Sequence, residues 1–198
     1  KEKEKFLNEC RKIFNKTQRQ WFLLGLDFSQ VKAVRLAKYH DLSNFDCGDK
    51  DINDFIRDDA ITYQENNLAT TTIFIYNEEI IGFFSAGADS LKLVQPEKEE
   101  HKVDKKPIRE FPAIKIARLG RDVKYKEQEI GKDILKWAIG YILECSKMIA
   151  VRFITVDAYH EKFPWYQEFG FKVNLDEHYT KKTQHVSMRY DLFNGVPK

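Results

Sequence analysis

The sequence predicts a mixed α/β fold, a single sheet with helices packed against its faces. Runs of β-branched and aromatic residues come first along the chain, and strands then alternate with amphipathic helices. The chain has 198 residues, 42% of them hydrophobic, which suits one well-buried domain better than two. We therefore expect an N-terminal helical extension over residues 1–30 and one domain over residues 31–198.

The first half of the domain predicts a strand, a helix and a hairpin, in that order. Residues 31–37 read as the first strand, and Asp49 can cap a helix whose apolar residues recur at helical spacing. Residues 70–76 and 80–91 predict two strands joined by a short turn. Residues 92–112 are charged and contain three prolines, so we expect a solvated connection there.

The second half predicts a strand over residues 113–123, a helix over residues 131–147 and a buried strand over residues 151–158. A strand, helix and strand in this order should form a right-handed crossover. Gly170 is expected to end a further short helix in a left-handed conformation. Two final strands complete the pattern.

Composition excludes several classes of protein. The formal charge is +2, which does not indicate a general nucleic-acid binder. The three cysteines are far apart and form no zinc-binding pattern, so we expect reduced thiols, a cytoplasmic protein and no metal. No apolar run approaches the roughly 20 residues that span a bilayer, so no membrane partner is expected.

The polar loop over residues 124–130 joins a buried strand to an amphipathic helix. The first turn of a helix leaves backbone N–H groups unpaired and carries partial positive charge, so it can bind a phosphate. Lys124, Lys126 and Lys132 would add charge there. The loop contains neither GxxxxGK[ST] nor GxGxxG, and an ordinary solvated loop remains the alternative on these grounds.

This stretch resembles motif A of the GCN5-related N-acetyltransferases, the GNAT family. In that family a strand is followed by a [Q/R]-x-x-G-x-[G/A] loop that wraps the pyrophosphate of acetyl-coenzyme A. Here Gly131 matches, Lys126 replaces Gln or Arg, and Glu129 replaces the middle Gly. A glutamate beside a pyrophosphate is repulsive unless its side chain turns to water, and a position that needs φ > 0 would penalise it.

A second stretch, VDAYHEKFPWYQEFGF over residues 156–171, resembles motif B of the same family. Its matching residues are Val156, Tyr166, Gly170 and Phe171. Residues 45–91 are similar to a GNAT subgroup that includes toxins acetylating aminoacyl-tRNA. The resemblance covers about residues 31 to 192, and it is more specific for the family than for the toxin subgroup.

The resemblance implies a mostly antiparallel, twisted sheet with helices on both faces and a V-shaped splay between the central strands. It also implies an N-acetyltransferase that moves an acetyl group from acetyl-CoA directly to a primary amine. Tyr166 would be the general acid, with a packing role in the core as the alternative. The base is left open among Asp157, Glu161, His160 and water. The residues implied in binding acetyl-CoA are Leu119, Gly120, Arg121, Lys126, Glu127, Gln128, Glu129, Ile130, Gly131 and Lys132.

The acceptor implied by the toxin subgroup is aminoacyl-tRNA, while a small amine or a protein amine remains open. An antitoxin protein and a second copy of the chain are the further partners expected. The alternative function is a GNAT-like domain without turnover, acting as a CoA-binding or regulatory interaction module. Glu129 motivates that alternative because it departs from the family loop.

Overall fold

A seven-stranded sheet organises the chain, with strand order β1-β2-β3-β4-β5-β7-β6, in a computed structural model that describes residues 2–17, 31–181 and 184–193. The strands are β1 Lys32–Arg35, β2 Thr70–Tyr76, β3 Glu79–Lys92, β4 Glu110–Arg121, β5 Phe153–Tyr159, β6 Lys172–Val173 and β7 His185–Asp191. The helices are α1 Glu2–Thr17, α2 Lys50–Asp54, α3 Ala60–Glu65, α4 Gln95–Glu100, α5 Ile130–Met148, α6 Phe163–Glu168 and α7 Glu177–Thr180. Within the described ranges, no helix is both long and apolar enough to cross a membrane.

The strand pairing is mixed and mostly antiparallel, which confirms the predicted fold class. The antiparallel pairs include β1 with β2, β2 with β3, β5 with β7 and β6 with β7. Strands β4 and β5 are parallel, as the predicted crossover through α5 requires. The pairs between them include Ala113 with Phe153, Ile114 with Ile154 and Lys115 with Thr155. The V-shaped splay between the central strands stays a prediction.

The chain divides into two compact units. The first contains Lys1–Gly87 and Ile116–Tyr141, and the second contains Ala88–Lys115 and Ile142–Lys198. In the first unit, the Asp49 side chain caps α2 as predicted, because its Oδ1 accepts from the backbone N–H of Ile52 at 3.1 Å. A π-helical turn over Phe55–Asp59 then joins α2 to α3. The core of this unit contains Leu36, Phe45, Phe55, Ile56, Ala60, Ile73, Ile80 and Phe83.

Helix α1 packs closely against α5 in the first unit. A Cβ added to Gly140 would lie 2.4 Å from the carbonyl oxygen of Cys10, so the crossing needs glycine. The ring of Phe14 lies 5.1 Å from that of Trp137. Residues 18–30 of the predicted extension lie outside the described residues, and its boundary with the domain stays a prediction.

In the second unit, the prediction of a solvated connection over residues 92–112 is partly wrong. It contains α4, and Leu93 and Val103 pack with Leu91, Phe111 and other apolar side chains. Two of its charged or polar residues, Glu97 and His101, are buried too, because buried partners elsewhere in this unit pair with them. The side chain of Glu97, for example, lies 2.6 Å from that of Arg189.

Candidate functional site

The polar loop begins at a carboxylate that fixes its conformation. Asp122 follows β4 directly and is 2% exposed. Its Oδ1 accepts from the backbone N–H of Lys124 at 2.9 Å, and its Oδ2 accepts from that of Asp46 at 3.2 Å. The backbone N–H of Val123 donates to Asp46 O at 2.8 Å. The loop is thereby tied to the segment before α2. Asp122 was missed in the sequence, although an aspartate between a strand and a helical turn is a usual capping pattern.

A 3₁₀ turn over Val123–Gln128 leads into α5 through a strained residue. Glu129 has φ +53°, a left-handed conformation that costs an L-residue about 1 to 2 kcal/mol. Gly131 does not carry a positive φ and lies in the first turn of α5. The N–H of Lys132 donates to Glu129 O at 2.9 Å. Glu129 therefore occupies the position that favours glycine, and it sets the direction in which the chain enters α5.

Two cationic side chains lie at the start of α5. The Cδ of Arg121 would be 3.8 Å from a Cβ built on Gly131, and its Nη1 donates to Asp122 O at 3.2 Å. The Nζ of Lys132 lies 2.6 Å from Oε1 of Glu129. The amides of Ile130 and Gly131 at the start of the helix and these cations together could hold an anion. Sequence reasoning named Arg121 among the binding residues but did not foresee its position beside Gly131.

The remaining predicted loop residues differ in exposure. Lys126 and Glu127 are exposed, whereas Ile130 is buried in the core of this unit. The Oε1 of Gln128 is buried, and no donor among the described residues hydrogen-bonds to it. A buried carbonyl oxygen without a donor is costly, so a ligand or water donor would stabilise this part of the loop.

The predicted binding residues on β4 have a packing role of their own. A Cβ on Gly120 would lie 2.8 Å from Cε1 of Phe83 and 3.2 Å from Cγ2 of Ile52. Packing alone thus requires glycine here, whether or not a ligand approaches the backbone. Leu119 is half-buried beside it. Both lie in the first unit, with the loop residues.

The first turn of α5 carries a carboxyl group with a raised pKa. Burial, chiefly, raises the pKa of Asp133 from 3.8 to about 6, with Glu129 and Glu9 adding to the rise and Lys136 and Lys132 opposing it. The folded protein holds this proton more tightly than the unfolded chain does. Deprotonation leaves a buried negative charge, so the free energy of unfolding falls as the pH rises from 3.8 to about 6.

We expect Asp133→Asn to raise the melting temperature at neutral pH and to change it little near pH 4, because asparagine never acquires the buried charge. The pKa shift sets an upper limit of about 3 kcal/mol, and we expect about 1 to 2 kcal/mol. Thermal melts across this pH range measure the effect, with Asp58→Asn as the matched exposed carboxyl. An equal shift in melting temperature at both pH values would contradict the titration argument.

Tyr166 lies on α6 in the second unit. Its ring is 4.9 Å from that of Trp165 and 5.4 Å from that of Phe171. Burial raises the pKa of its phenol to about 12, so the group keeps its proton at neutral pH. No described residue hydrogen-bonds to its hydroxyl. The side chain is thus held by aromatic packing while its one transferable proton has no partner within the described chain.

The side chains considered as bases have different surroundings. The Oδ2 of Asp157 accepts from Nζ of Lys115 at 2.6 Å. His160 and Glu161 are exposed on the turn after β5. The ion pair of Asp157 was not foreseen, because Lys115 comes from a distant strand.

No family model matches the chain. A curated relative, described as a tRNA-acetylating toxin of Mycobacterium tuberculosis (strain ATCC 25618 / H37Rv), is 22% identical over 141 residues, which are 71% of this chain and 83% of that protein. The solved structure of AtaT complexed with acetyl-methionyl-tRNAfMet has a TM-score of 0.72 and 18% identity, covering 81% of this chain and 94% of that chain. A second solved structure is that of an AtaT toxin with a tyrosine-to-phenylalanine substitution, bound to the C-terminus of the antitoxin AtaR and to acetyl-CoA. Its TM-score is 0.65 and its identity 16%, covering 82% of this chain and 93% of that chain.

The fold is therefore that of the GNAT-type toxins, and the predicted resemblance to this group is confirmed. The similarity extends over almost the whole of the solved toxin chains. It covers a smaller part of this one, which is the longer chain.

Proposed function

We propose that the protein is an acetyl-CoA-dependent N-acetyltransferase that acetylates the amino group of an aminoacyl-tRNA. The likeness to a tRNA-acetylating toxin and to AtaT complexed with acetyl-methionyl-tRNAfMet supports this acceptor. The AtaT complex with AtaR supports a protein antitoxin as a partner. The cytoplasm is the proposed location because aminoacyl-tRNA is used there. A homodimer stays a prediction.

The observation that carries the proposal is the start of α5. Asp122 fixes the preceding turn, Glu129 adopts a left-handed conformation at the entry to α5, and Arg121 lies beside Gly131. A pyrophosphate at this position would accept hydrogen bonds from the amides of Ile130 and Gly131, and the positive charges of Arg121 and Lys132 would attract it. These residues fit an anion of that kind better than an apolar ligand.

The proposed reaction needs no covalent enzyme intermediate. The lone pair of the neutral amine attacks the acetyl carbonyl carbon, the C–S bond breaks, and the thiolate of CoA leaves. Tyr166 would donate its phenolic proton to the thiolate, and the amine proton would pass to water or a carboxylate. The phenol suits an acid because it remains protonated at neutral pH.

Glu129 is the feature that favours the alternative, a CoA-binding module without turnover. Its carboxylate would repel a pyrophosphate, and at present it pairs with Lys132. That pairing also withdraws a cation from the site. A CoA titration by calorimetry, followed by measurement of thioester consumption, separates the two functions.

Glu129→Gly is expected to tighten CoA binding several-fold and to stabilise the protein by about 1 kcal/mol. The first effect follows from removal of a negative charge and release of Lys132, the second from removal of a left-handed L-residue. Glu129→Gln serves as the matched variant, because it removes the charge but keeps the strain. Calorimetry and thermal melts should therefore show tighter binding in both variants and extra stability only in the glycine variant. Unchanged CoA affinity in both would place the carboxylate away from the phosphates.

The proposed function is tested by incubating the full chain with labelled acetyl-CoA and charged total tRNA. Acetylated aminoacyl-tRNA should accumulate, while deacylated tRNA should remain unlabelled, because only the aminoacyl group offers the amine. Tyr166→Phe is the matched inactive variant. Expression in a bacterium should slow translation and growth only with the active chain.

Label on small amines or proteins alone would overturn the acceptor and keep the acetyltransferase. Tight CoA binding with no labelled product from any amine would favour the module without turnover. Failure to bind CoA would overturn both functions.

A further inference from the structure

A polar cleft of about 310 Å³ opens within the second unit, between strands β3, β4, β5 and β7 and helix α7. Carboxylates, lysines, hydroxyls and one imidazole line it, and no aliphatic side chain does so among the described residues. Its volume suits an amino-acid side chain. A lining of this kind favours a polar ligand, because an apolar one would leave its hydrogen-bonding groups unpaired.

The position of the cleft links it to the proposed chemistry. Thr155 and Asp157, both on β5, line it, and α6 with Tyr166 follows β5 and contacts it. The Nζ of Lys115 lies 2.6 Å from Oδ2 of Asp157, and Lys115 pairs with Thr155 in the register of β4 and β5. A group bound in the cleft therefore contacts β5, and the chain continues from β5 into α6, which carries the proposed general acid.

The carboxylates of the cleft already have donors within the protein. Asp89 accepts from Thr155 Oγ1 at 2.5 Å and from the N–H of Ser90 at 2.9 Å. Glu110 accepts from Ser90 Oγ at 2.7 Å. Each of these carboxylates therefore has fewer lone pairs left for a donor on a ligand.

Two hydroxyl groups of the cleft can still donate. The oxygen of Tyr179 accepts from the N–H of Lys92 at 3.0 Å, and Oγ of Ser187 accepts from Nδ2 of Asn174 at 3.0 Å. No described residue accepts a hydrogen bond from either hydroxyl. Each proton is therefore available to an acceptor on a ligand.

We propose that this cleft holds the aminoacyl group of the acceptor and selects a neutral carboxamide side chain, as in glutaminyl- or asparaginyl-tRNA. The proposal rests on the proposed function. A carboxamide oxygen accepts from the two hydroxyls, and its NH₂ group can donate to the carboxylates. An apolar side chain pairs with neither, and a cationic one offers donors alone. A carboxylate would add negative charge to a lining with three carboxylates and two lysines.

The test measures kcat/KM for acetylation of glutaminyl-, asparaginyl-, glutamyl-, lysyl- and methionyl-tRNA by the full chain. The carboxamide acceptors should exceed the others by about tenfold or more. Tyr179→Phe and Ser187→Ala should each lower that preference by about tenfold and change kcat/KM for methionyl-tRNA little, because each removes one hydrogen bond to the carboxamide. Tyr39→Phe, at a tyrosine that is 84% exposed, is the matched control and should change neither value.

A preference for methionyl-, lysyl- or glutamyl-tRNA would overturn the carboxamide assignment and leave the proposed acetyltransferase intact. A carboxamide preference that survives both substitutions, in variants with wild-type melting temperatures, would overturn the cleft as its source. If no aminoacyl-tRNA is acetylated although acetyl-CoA binds, both the proposed acceptor and this inference fail.

Discussion

Tyr166→Phe is expected to lower kcat by about 10²- to 10⁴-fold, the usual contribution of a positioned general acid. That loss corresponds to roughly 3 to 5 kcal/mol in the activation free energy. A phenol with a pKa of about 12 is a weaker acid than a thiol of pKa about 8.5, so the proton moves late and we expect the lower half of this range. The ring contacts with Trp165 and Phe171 persist, so folding and CoA binding should hardly change.

Steady-state kinetics, calorimetry with CoA and thermal melts measure these three properties. A loss confined to kcat is the pattern of an interaction made only in the transition state. Because the phenol keeps its proton up to about pH 12, the wild-type rate should show no fall from this group between neutral and mildly alkaline pH. Tyr39→Phe controls for loss of a hydroxyl elsewhere. Near-normal kcat in a folded Tyr166→Phe protein would show that Tyr166 is not the general acid and has a packing role instead.

Arg189→Met is expected to lower the free energy of unfolding by about 3 to 5 kcal/mol. The guanidinium is 2% exposed, and Nη1 lies 2.6 Å from Oε1 of Glu97, itself 1% exposed. Nε donates to Nε2 of His101 at 2.9 Å, and Nη1 donates to Val173 O at 2.6 Å. Methionine fills similar space but leaves a buried carboxylate without its cation. The melting temperature should fall by roughly 6 to 20 °C.

Adding Glu97→Gln to this variant should recover part of the loss, because it removes the orphaned charge and keeps an acceptor for the N–H of Leu175. Lys181→Met is the matched surface change. Its ion pair with Glu177 is exposed, with side-chain accessibilities of 76% and 85%, and should contribute little. Arg189→Met and Lys181→Met variants of equal stability would show that the buried pair has no special role.

The elements that the sequence predicted correctly are those encoded by neighbouring residues. The capping aspartate Asp49 and the turn ending at Gly170, which has φ +87°, act within a few positions along the chain. The strand, helix and strand over residues 113–158 follow from the change in hydrophobic period alone. The position that favours glycine in the loop was also predictable, and Glu129 occupies it with the expected positive φ.

Features that depend on distant pairs were not predictable. The charge on Glu97 indicated solvent exposure, because nothing near it in the chain reveals the buried Arg189. The same holds for Lys115 and Asp157, which meet only where two strands are brought side by side. Gly120 was interpreted through ligand approach, whereas the ring of Phe83 fills the space beside it. The role of each of these residues follows only from the tertiary fold.

The indole of Trp137 can report optically whether α1 is docked. It is 7% exposed, and the ring of Phe14 on α1 lies 5.1 Å from it. Departure of α1 would expose the indole to water and shift the fluorescence emission to longer wavelength. A chain shortened by residues 1–17 and titrated with the corresponding peptide would then yield a binding isotherm from emission alone. The affinity of the N-terminal helix for its own domain could thus be measured without any activity assay.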